Sequence, residues 1–367
     1  MYDRPSDTEV TMALPESTHA ERILFVIGLV LIIILAIKMT SYLISLILMA
    51  IILTLLLLPS IAWLKERGLS DLTAICIVTL AAVLVIVAFV FVTTLSFNSL
   101  ASDLPLFQAE LDTRLTELST LLAGFGFSTN LKDMLSIDFK SLMSIVLSGA
   151  TSFAEGLMFI FFAAVTTFFM LLELPKILSR SEKIFGKDTD ALRKVSQMTQ
   201  YIIDFLVVRT ETNAIHGLLF GSFLTIMGVH GAILWGLLTF LLGYIPYFGL
   251  IIAAIPAIFF AWLQFGLPGA AAVIVAICIL NLVVENPVYS FLAAKKFDIP
   301  AIIVVLSVII WGWLLGLVGM FFAIPLTLLL IMVIESSEDL RWINTLMGVN
   351  RLFEDPKTEK KSGNSET

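Results

Sequence analysis

The sequence predicts an all-α, polytopic membrane fold of about eight transmembrane helices, with the late helices interrupted or re-entrant. Three observations carry that prediction. Hydrophobic residues fill 59% of the 367 positions and charged residues only 14%, giving a mean hydropathy of +1.02, far outside soluble composition. Apolar stretches approaching the roughly 20 residues needed to cross a bilayer core recur along the whole chain. Two late stretches are too long for one straight crossing and carry prolines and glycines in their middles.

Residues 1–22 are polar, contain Pro5 and Pro15 and lack a cleavable-signal pattern, so they read as a cytoplasmic segment. Apolar segments follow at 23–37, 42–64 and 72–97, forming a first group of three helices over 23–97, and a fourth lies at 153–174 within 150–174. Lys65 and Arg67 occupy the tight turn after the second segment, and Lys176, Arg180, Lys183, Lys187, Arg193, Lys194 and Arg209 follow the fourth. Lys and Arg favour the cytoplasmic side, which places both clusters and the N-terminus inside.

Residues 98–149 then face outward, and their acidic residues outnumber Arg114, Lys132 and Lys140. Leu104, Leu111, Leu115, Leu118 and Leu122 recur at helical intervals, an apolar stripe that needs a partner. Packing within its own chain is the simpler reading, and joining subunits the alternative. A basic cytoplasmic helix over 175–208 leads into a late bundle over 209–334. Residues 335–367 read as an amphipathic helix and a charged, disordered tail. Eight crossings return the C-terminus inside, but they leave Lys295 and Lys296 outside unless residues 232–263 and 301–334 re-enter.

Four stretches could carry chemistry. In the first, 243–256, Tyr244-Ile245-Pro246 and Ile255-Pro256, with Gly249 between them, interrupt helical bonding, since proline lacks an N–H and clashes with the preceding turn. Freed backbone groups cannot face lipid, so the break either lines a cavity or only shapes packing. In the second, Asn281 and Glu285 share a helical face at i, i+4 and Asn286 follows; an intramembrane carboxylate can bind a proton or sodium ion, or merely reach the headgroups.

The third stretch, 301–334, is broken at Gly312, Gly316, Gly319 and Pro325, and it echoes the first. Trp235-Gly236 precedes Ala254-Ile255-Pro256, and Trp311-Gly312 precedes Ala323-Ile324-Pro325, with intervals differing by seven residues. Paired interrupted helices point to a transport site, whereas chance and close helix packing are the alternatives. In the fourth, Arg209 and Glu211 most simply sit at the interface, and His216 could relay a proton or be only hydrogen-bonded.

The sequence excludes several enzyme classes. It contains no HExxH, GxSxG or Walker-type GxxxxGK, and three histidines at His19, His216 and His230 cannot build an all-histidine metal cluster. Cys76 and Cys278 lie in apolar runs and imply no disulfide framework. No cofactor, metal or nucleic-acid partner is expected; the lipid bilayer and a small solute are.

The strings Leu242-Gly243-Tyr244-Ile245-Pro246-Tyr247-Phe248-Gly249, Val284-Glu285-Asn286, Ile310-Trp311-Gly312-Trp313-Leu314-Leu315-Gly316, Gly319-Met320 and Ile324-Pro325-Leu326 resemble the autoinducer-2 exporter family of transporters. Arg209-Thr210, Asn213 and Gly217 fit the same pattern, which extends over about residues 208–335. The resemblance implies an eight-helix inner-membrane transporter of bacteria or archaea, assembled as a homo-oligomer. Export of the autoinducer-2 signal used in quorum sensing, and sodium/proton antiport, are the activities it implies. Gly243 stands where members often carry Asn, Tyr247 replaces a commonly polar residue, and Ser290 and Ala294 replace Pro and Gly.

The expected activity is therefore secondary transport of a small polar solute. Tyr244, Pro246, Gly249, Pro256, Asn281, Asn286, Trp311, Gly312 and Gly316 are its candidate binding residues. Glu285 and His216 are candidate ion-coupling residues, and Arg209, Gly319 and Pro325 gating or structural ones. The alternatives are a sodium/proton antiporter and a membrane scaffold acting through residues 98–149.

Overall fold

The computed structural model describes residues 19–124, 139–185, 190–294, 300–335, 337 and 340–348. Among them every regular element is a helix: α1 (His19–Met39), α2 (Ser41–Glu66), α3 (Asp71–Gly124), α4 (Phe139–Phe185), α5 (Asp190–Met227), α6 (Ala232–Leu242), α7 (Phe248–Ala294), α8 (Ala301–Leu315), α9 (Leu317–Phe321), α10 (Ala323–Glu335) and α11 (Arg341–Leu346). The N-terminal segment, most of the C-terminal tail, Asp133, Asp138, Lys295 and Lys296 lie outside the described residues, as do the side chains of Asn286 and Ser290.

Four stretches are long and apolar enough to cross a bilayer, Ser41–Glu66, Asp71–Leu100, Gly156–Ile177 and Phe248–Glu285, accompanied by four shorter apolar helices. Their outer surfaces expose large apolar side chains, with Phe169 at 63% and Phe91 at 61%. Such surfaces are stable against lipid rather than water.

Turn chemistry sets the helix ends. After α2, Gly68 adopts φ +91, its N–H bonds Lys65 O, and the Leu69 N–H bonds Leu64 O. That pair of bonds is a Schellman cap, which satisfies carbonyls the helix end would otherwise orphan. Ser70 Oγ then accepts from the Thr73 N–H at 3.4 Å to start α3. A second Schellman cap at Gly228, with Val229 N–H bonded to Leu224 O, ends α5.

The apolar stretch Phe248–Glu285 is a single span by length only. Gly266 (φ +69, ψ −161) breaks it, so α7 comprises two helical halves, 248–265 and 267–294. Arg114, on the extension of α3, donates Nε to Leu263 O at 2.9 Å and Nη2 to Gln264 O at 3.0 Å. These carbonyls are among those the first half leaves free at its end.

Two helical hairpins result. In the first, α6 and residues 248–265 are joined by the tip 243–247, and their far ends meet where the His230 N–H donates to Gln264 Oε1 at 2.9 Å. Trp235 stacks on Phe260 between the arms, with ring centroids 5.5 Å apart. In the second, α8 and α10 pair through Ser307, Trp311 and Thr327, with the five-residue α9 at the tip. The tips touch: Leu242, Ile245 and Ala253 form one buried cluster with Val308 and Ala323, and Tyr244 meets Phe321 at 6.4 Å between ring centroids.

The outer stripe packs within its own chain. Phe107 and Leu111 sit on Leu263, Phe259 and Trp262, and Leu115 is buried at 4% exposure. Among the described residues of the C-terminal segment the buried one is polar: Asn344 donates Nδ2 to Ile331 O and to Glu335 Oε2.

Candidate functional site

The centre of the molecule is polar because α5 presents Arg209, Asn213 and His216 at i, i+4 and i+7, one face of a helix, toward the tip of the first hairpin. All three are buried, at 9%, 1% and 3% exposure. Glycines let the elements come this close. A Cβ on Gly217 would meet Gly236 O at 2.7 Å, and one on Gly243 would meet Asn213 Oδ1 at 2.5 Å.

Arg209 organises the site. Its Nη1 donates to both carboxylate oxygens of Glu285 on α7 at 2.9 Å. Its Nε and Nη2 donate to Gly243 O, at 2.9 and 2.5 Å. The paired side chains are 10% and 12% exposed. One guanidinium thus joins three elements: α5, the first hairpin tip and the second half of α7. The simplest sequence reading puts Arg209 at the membrane interface; the structure instead buries it, because Glu285 and a freed tip carbonyl supply its partners.

The tip itself is held at a second point, where Thr210 Oγ1 and the Tyr244 hydroxyl lie 2.7 Å apart. Pro246 is buried in the turn, and the adjacent Tyr247 adopts φ +64, a left-handed conformation rare for a bulky residue. Gly249 is obligatory for the turn: a Cβ there would lie 1.7 Å from Leu242 O. Pro256 sits half-buried, further along the same arm.

Asn213 and His216 stand out for what they lack. Neither polar atom of the Asn213 amide, nor Nε2 of His216, has a hydrogen-bond partner in the structure. Buried polar groups are normally satisfied, so these three atoms are available to a solute, an ion or a water molecule. Asn281, by contrast, is exposed on α7, whereas Glu285 four residues later turns inward.

In the second hairpin, Trp311 Nε1 donates to Thr327 Oγ1 at 3.0 Å and Thr327 donates to Ser307 Oγ at 2.7 Å. Gly312 and Gly319 allow close approach within this tip, since a Cβ at Gly312 would meet Met320 Cγ at 2.7 Å. Gly316 (φ +68) is the hinge between α8 and α9, and Pro325 is fully buried in α10. The sequence echo falls on corresponding arms: Trp235-Gly236 and Trp311-Gly312 on the first, Ala254–Pro256 and Ala323–Pro325 on the second. Seven extra residues amount to about one helical turn per arm.

Of the expected site residues, the structure brings Arg209, Glu285 and Tyr244 around one hairpin tip, with His216 buried on the same face of α5 and Trp311, Gly312 and Gly316 beside the other tip. Asn213, Thr210 and Gly243 complete the site although the sequence reading does not include them among the site residues. A signal for them exists: an Asn one turn after an Arg, inside an apolar run, is costly unless it is used.

Residues 24–339 match the model of the AI-2E family transporter. The chain is 26% identical to the AI-2 transport protein TqsA of Escherichia coli K12 over 317 residues, 86% of this chain and 92% of that one. It is 28% identical to a "Putative transport protein" of Haemophilus influenzae over 341 residues, covering 90% and 97% of the two chains. It is 27% identical to the "Putative transport protein YhhT" of E. coli K12 over 281 residues, 76% and 80% of the two. With its spanning helices, facing hairpins and a family match over most of its length, this chain belongs to the AI-2E family of membrane transporters.

Proposed function

We propose that the protein is a secondary transporter that exports a small polar solute, such as the autoinducer-2 signal, by alternating access across the cytoplasmic membrane. The observation that carries this reading is the single guanidinium of Arg209 holding both Glu285 and the Gly243 carbonyl at the tip of the first hairpin. Breaking a buried ion pair by removing one partner costs about 3–5 kcal/mol, so a closed tip is firmly latched. A proton or sodium ion that takes Glu285 from Arg209 weakens the latch and frees the tip. The unpartnered Asn213 and His216 atoms then receive the solute, with Tyr244 and the second hairpin tip as its walls.

The relative TqsA is named an AI-2 transport protein, and the buried amide and imidazole suit a polar solute. In this reading the late bundle 209–334 is the transport unit. Lys65 and Arg67, with the cluster after the fourth span, face the cytoplasm, as do both termini. The hairpins enter from opposite sides, the first from outside and the second from the cytoplasm, and the protein assembles as a homo-oligomer. Sodium/proton antiport ranks second, because the one acid at the site, among the described residues, is already neutralised by Arg209.

The test is solute flux in proteoliposomes under an imposed pH or sodium gradient. Glu285→Gln is expected to abolish gradient-driven flux while the protein stays folded. Unchanged flux removes Glu285 from the mechanism.

A further inference from the structure

A cavity lies against α5 beside Thr210. It has a volume of about 810 Å³ and opens between α2, α3 and α5. Its walls are apolar, built from side chains such as Leu57, Trp63, Val78 and Val207, and its polar floor is Thr210 and Glu211. The Thr210 hydroxyl is already engaged with Tyr244. Glu211 is exposed and has no ion-pair partner among the described residues.

The depth of Glu211 is what needs explaining. It shares the cavity with Ser60 of α2 and Val78 of α3, whereas the ion pair Lys65–Asp71 marks the turn joining those helices. The rise of 1.5 Å per residue places Glu211 roughly 10 Å inward from that turn. The surrounding spans, Ser41–Glu66 and Asp71–Leu100, are long and apolar enough to cross a bilayer. An unpaired carboxylate at that depth costs several kcal/mol against lipid, and an intramembrane acid is a functional site by default. The nearby cation of Arg67 does not relieve it, because its guanidinium stacks over Trp63 at 3.8 Å.

We infer that this cavity is a binding site for an amphiphilic organic cation, whose apolar body fills the space between α2 and α3 and whose charge pairs with Glu211. Charge complementarity selects the sign, and the apolar walls select a bulky body over a hydrated metal ion. The acid of this cavity is Glu211 rather than Glu285, and the cavity adjoins the latch only through Thr210, which lines it and also holds Tyr244.

The experiment uses the full chain in phosphatidylcholine nanodiscs and two probes of like size and opposite charge, tetraphenylphosphonium and tetraphenylborate. The expected result is saturable binding of the cation and none of the anion. Glu211→Gln should weaken cation binding by about tenfold or more. Ala81→Phe, which fills the cavity but keeps the carboxylate, should do the same, and Glu285→Gln should leave it unchanged.

Equal cation binding in wild type and Glu211→Gln overturns the proposal, as does absence of saturable binding. Loss in Glu285→Gln instead would move the cation to the latch and also overturn it. Binding that disappears in phosphatidylethanolamine nanodiscs would assign the cavity to a lipid headgroup ammonium. A change of oligomeric state in Glu211→Gln would make it a contact between copies, and either outcome refutes a free cation as the ligand.

Discussion

Arg209 and Glu285, 76 residues apart in sequence, meet through Nη1 at 2.9 Å from each carboxylate oxygen in an environment about one-tenth exposed. Removing the cation alone strands a buried carboxylate. Arg209→Met should therefore lower the thermal midpoint in detergent by an amount equivalent to about 3–5 kcal/mol, and the double variant Arg209→Met/Glu285→Met should recover most of it. If the double variant is no more stable than Arg209→Met alone, the two charges are not a coupled pair.

The Gly243 carbonyl accepts from the same guanidinium, and Gly243 itself is in ordinary right-handed geometry (φ −54, ψ −20). Its lack of a side chain is thus a matter of space rather than backbone freedom. A Cβ would lie 2.5 Å from Asn213 Oδ1. Gly243→Ala should cost about 1–3 kcal/mol by overpacking. Adding Asn213→Ala should restore the stability, because the obstructing amide is then gone. A Gly243→Ala variant as stable as the wild type would show that the tip can shift away without penalty.

How much of this is legible in the sequence depends on the range of the interactions. The long spans read directly from hydropathy, and Pro246 and Gly316 mark the breaks from their own backbone chemistry. Whether residues 232–263 cross or fold back cannot be read, since an apolar run looks the same against lipid or against protein. The deciding hydrogen bond, His230 to Gln264, joins residues 34 positions apart. The region from Arg209 to His216 reads as weakly apolar because it is buried by the hairpin and α7 rather than by lipid. The i, i+4 pattern puts Asn281 and Glu285 on one face, yet the structure exposes Asn281 while the longer Glu285 side chain reaches the α5 guanidinium.

Tyr247 closes the first hairpin tip with φ +64 and is 45% exposed. Non-glycine residues held there cost on the order of 1–3 kcal/mol, and such strain gathers at sites that move. Tyr247→Gly should raise the thermal midpoint by the equivalent of about 1 kcal/mol, because relief of that strain outweighs the packing of a half-exposed ring. Tyr247→Val should lower it, because a β-branched side chain tolerates this conformation least. A fall in both variants would mean that packing of the ring, not backbone strain, dominates at this position.

The arm of α3 is coupled to the first hairpin through Arg114, whose Nε and Nη2 bind the carbonyls of Leu263 and Gln264 where Gly266 interrupts α7. Its third interaction, Nη1 to Glu117 at 2.8 Å, is of a different kind: Glu117 is 53% exposed and lies on the same helix. Charged hydrogen bonds to otherwise unsatisfied carbonyls are worth about 1.5–3 kcal/mol, whereas an exposed i, i+3 pair contributes about 0.2–1 kcal/mol at most. Arg114→Ala should accordingly speed amide exchange over residues 258–266 and lower the thermal midpoint clearly, while Glu117→Ala leaves both nearly unchanged. Gly266→Ala should reproduce the Arg114→Ala exchange pattern, because its φ of +69 disfavours any side chain. If Glu117→Ala perturbs the hairpin as strongly as Arg114→Ala, the arm is held by the surface ion pair and the carbonyl hydrogen bonds are incidental.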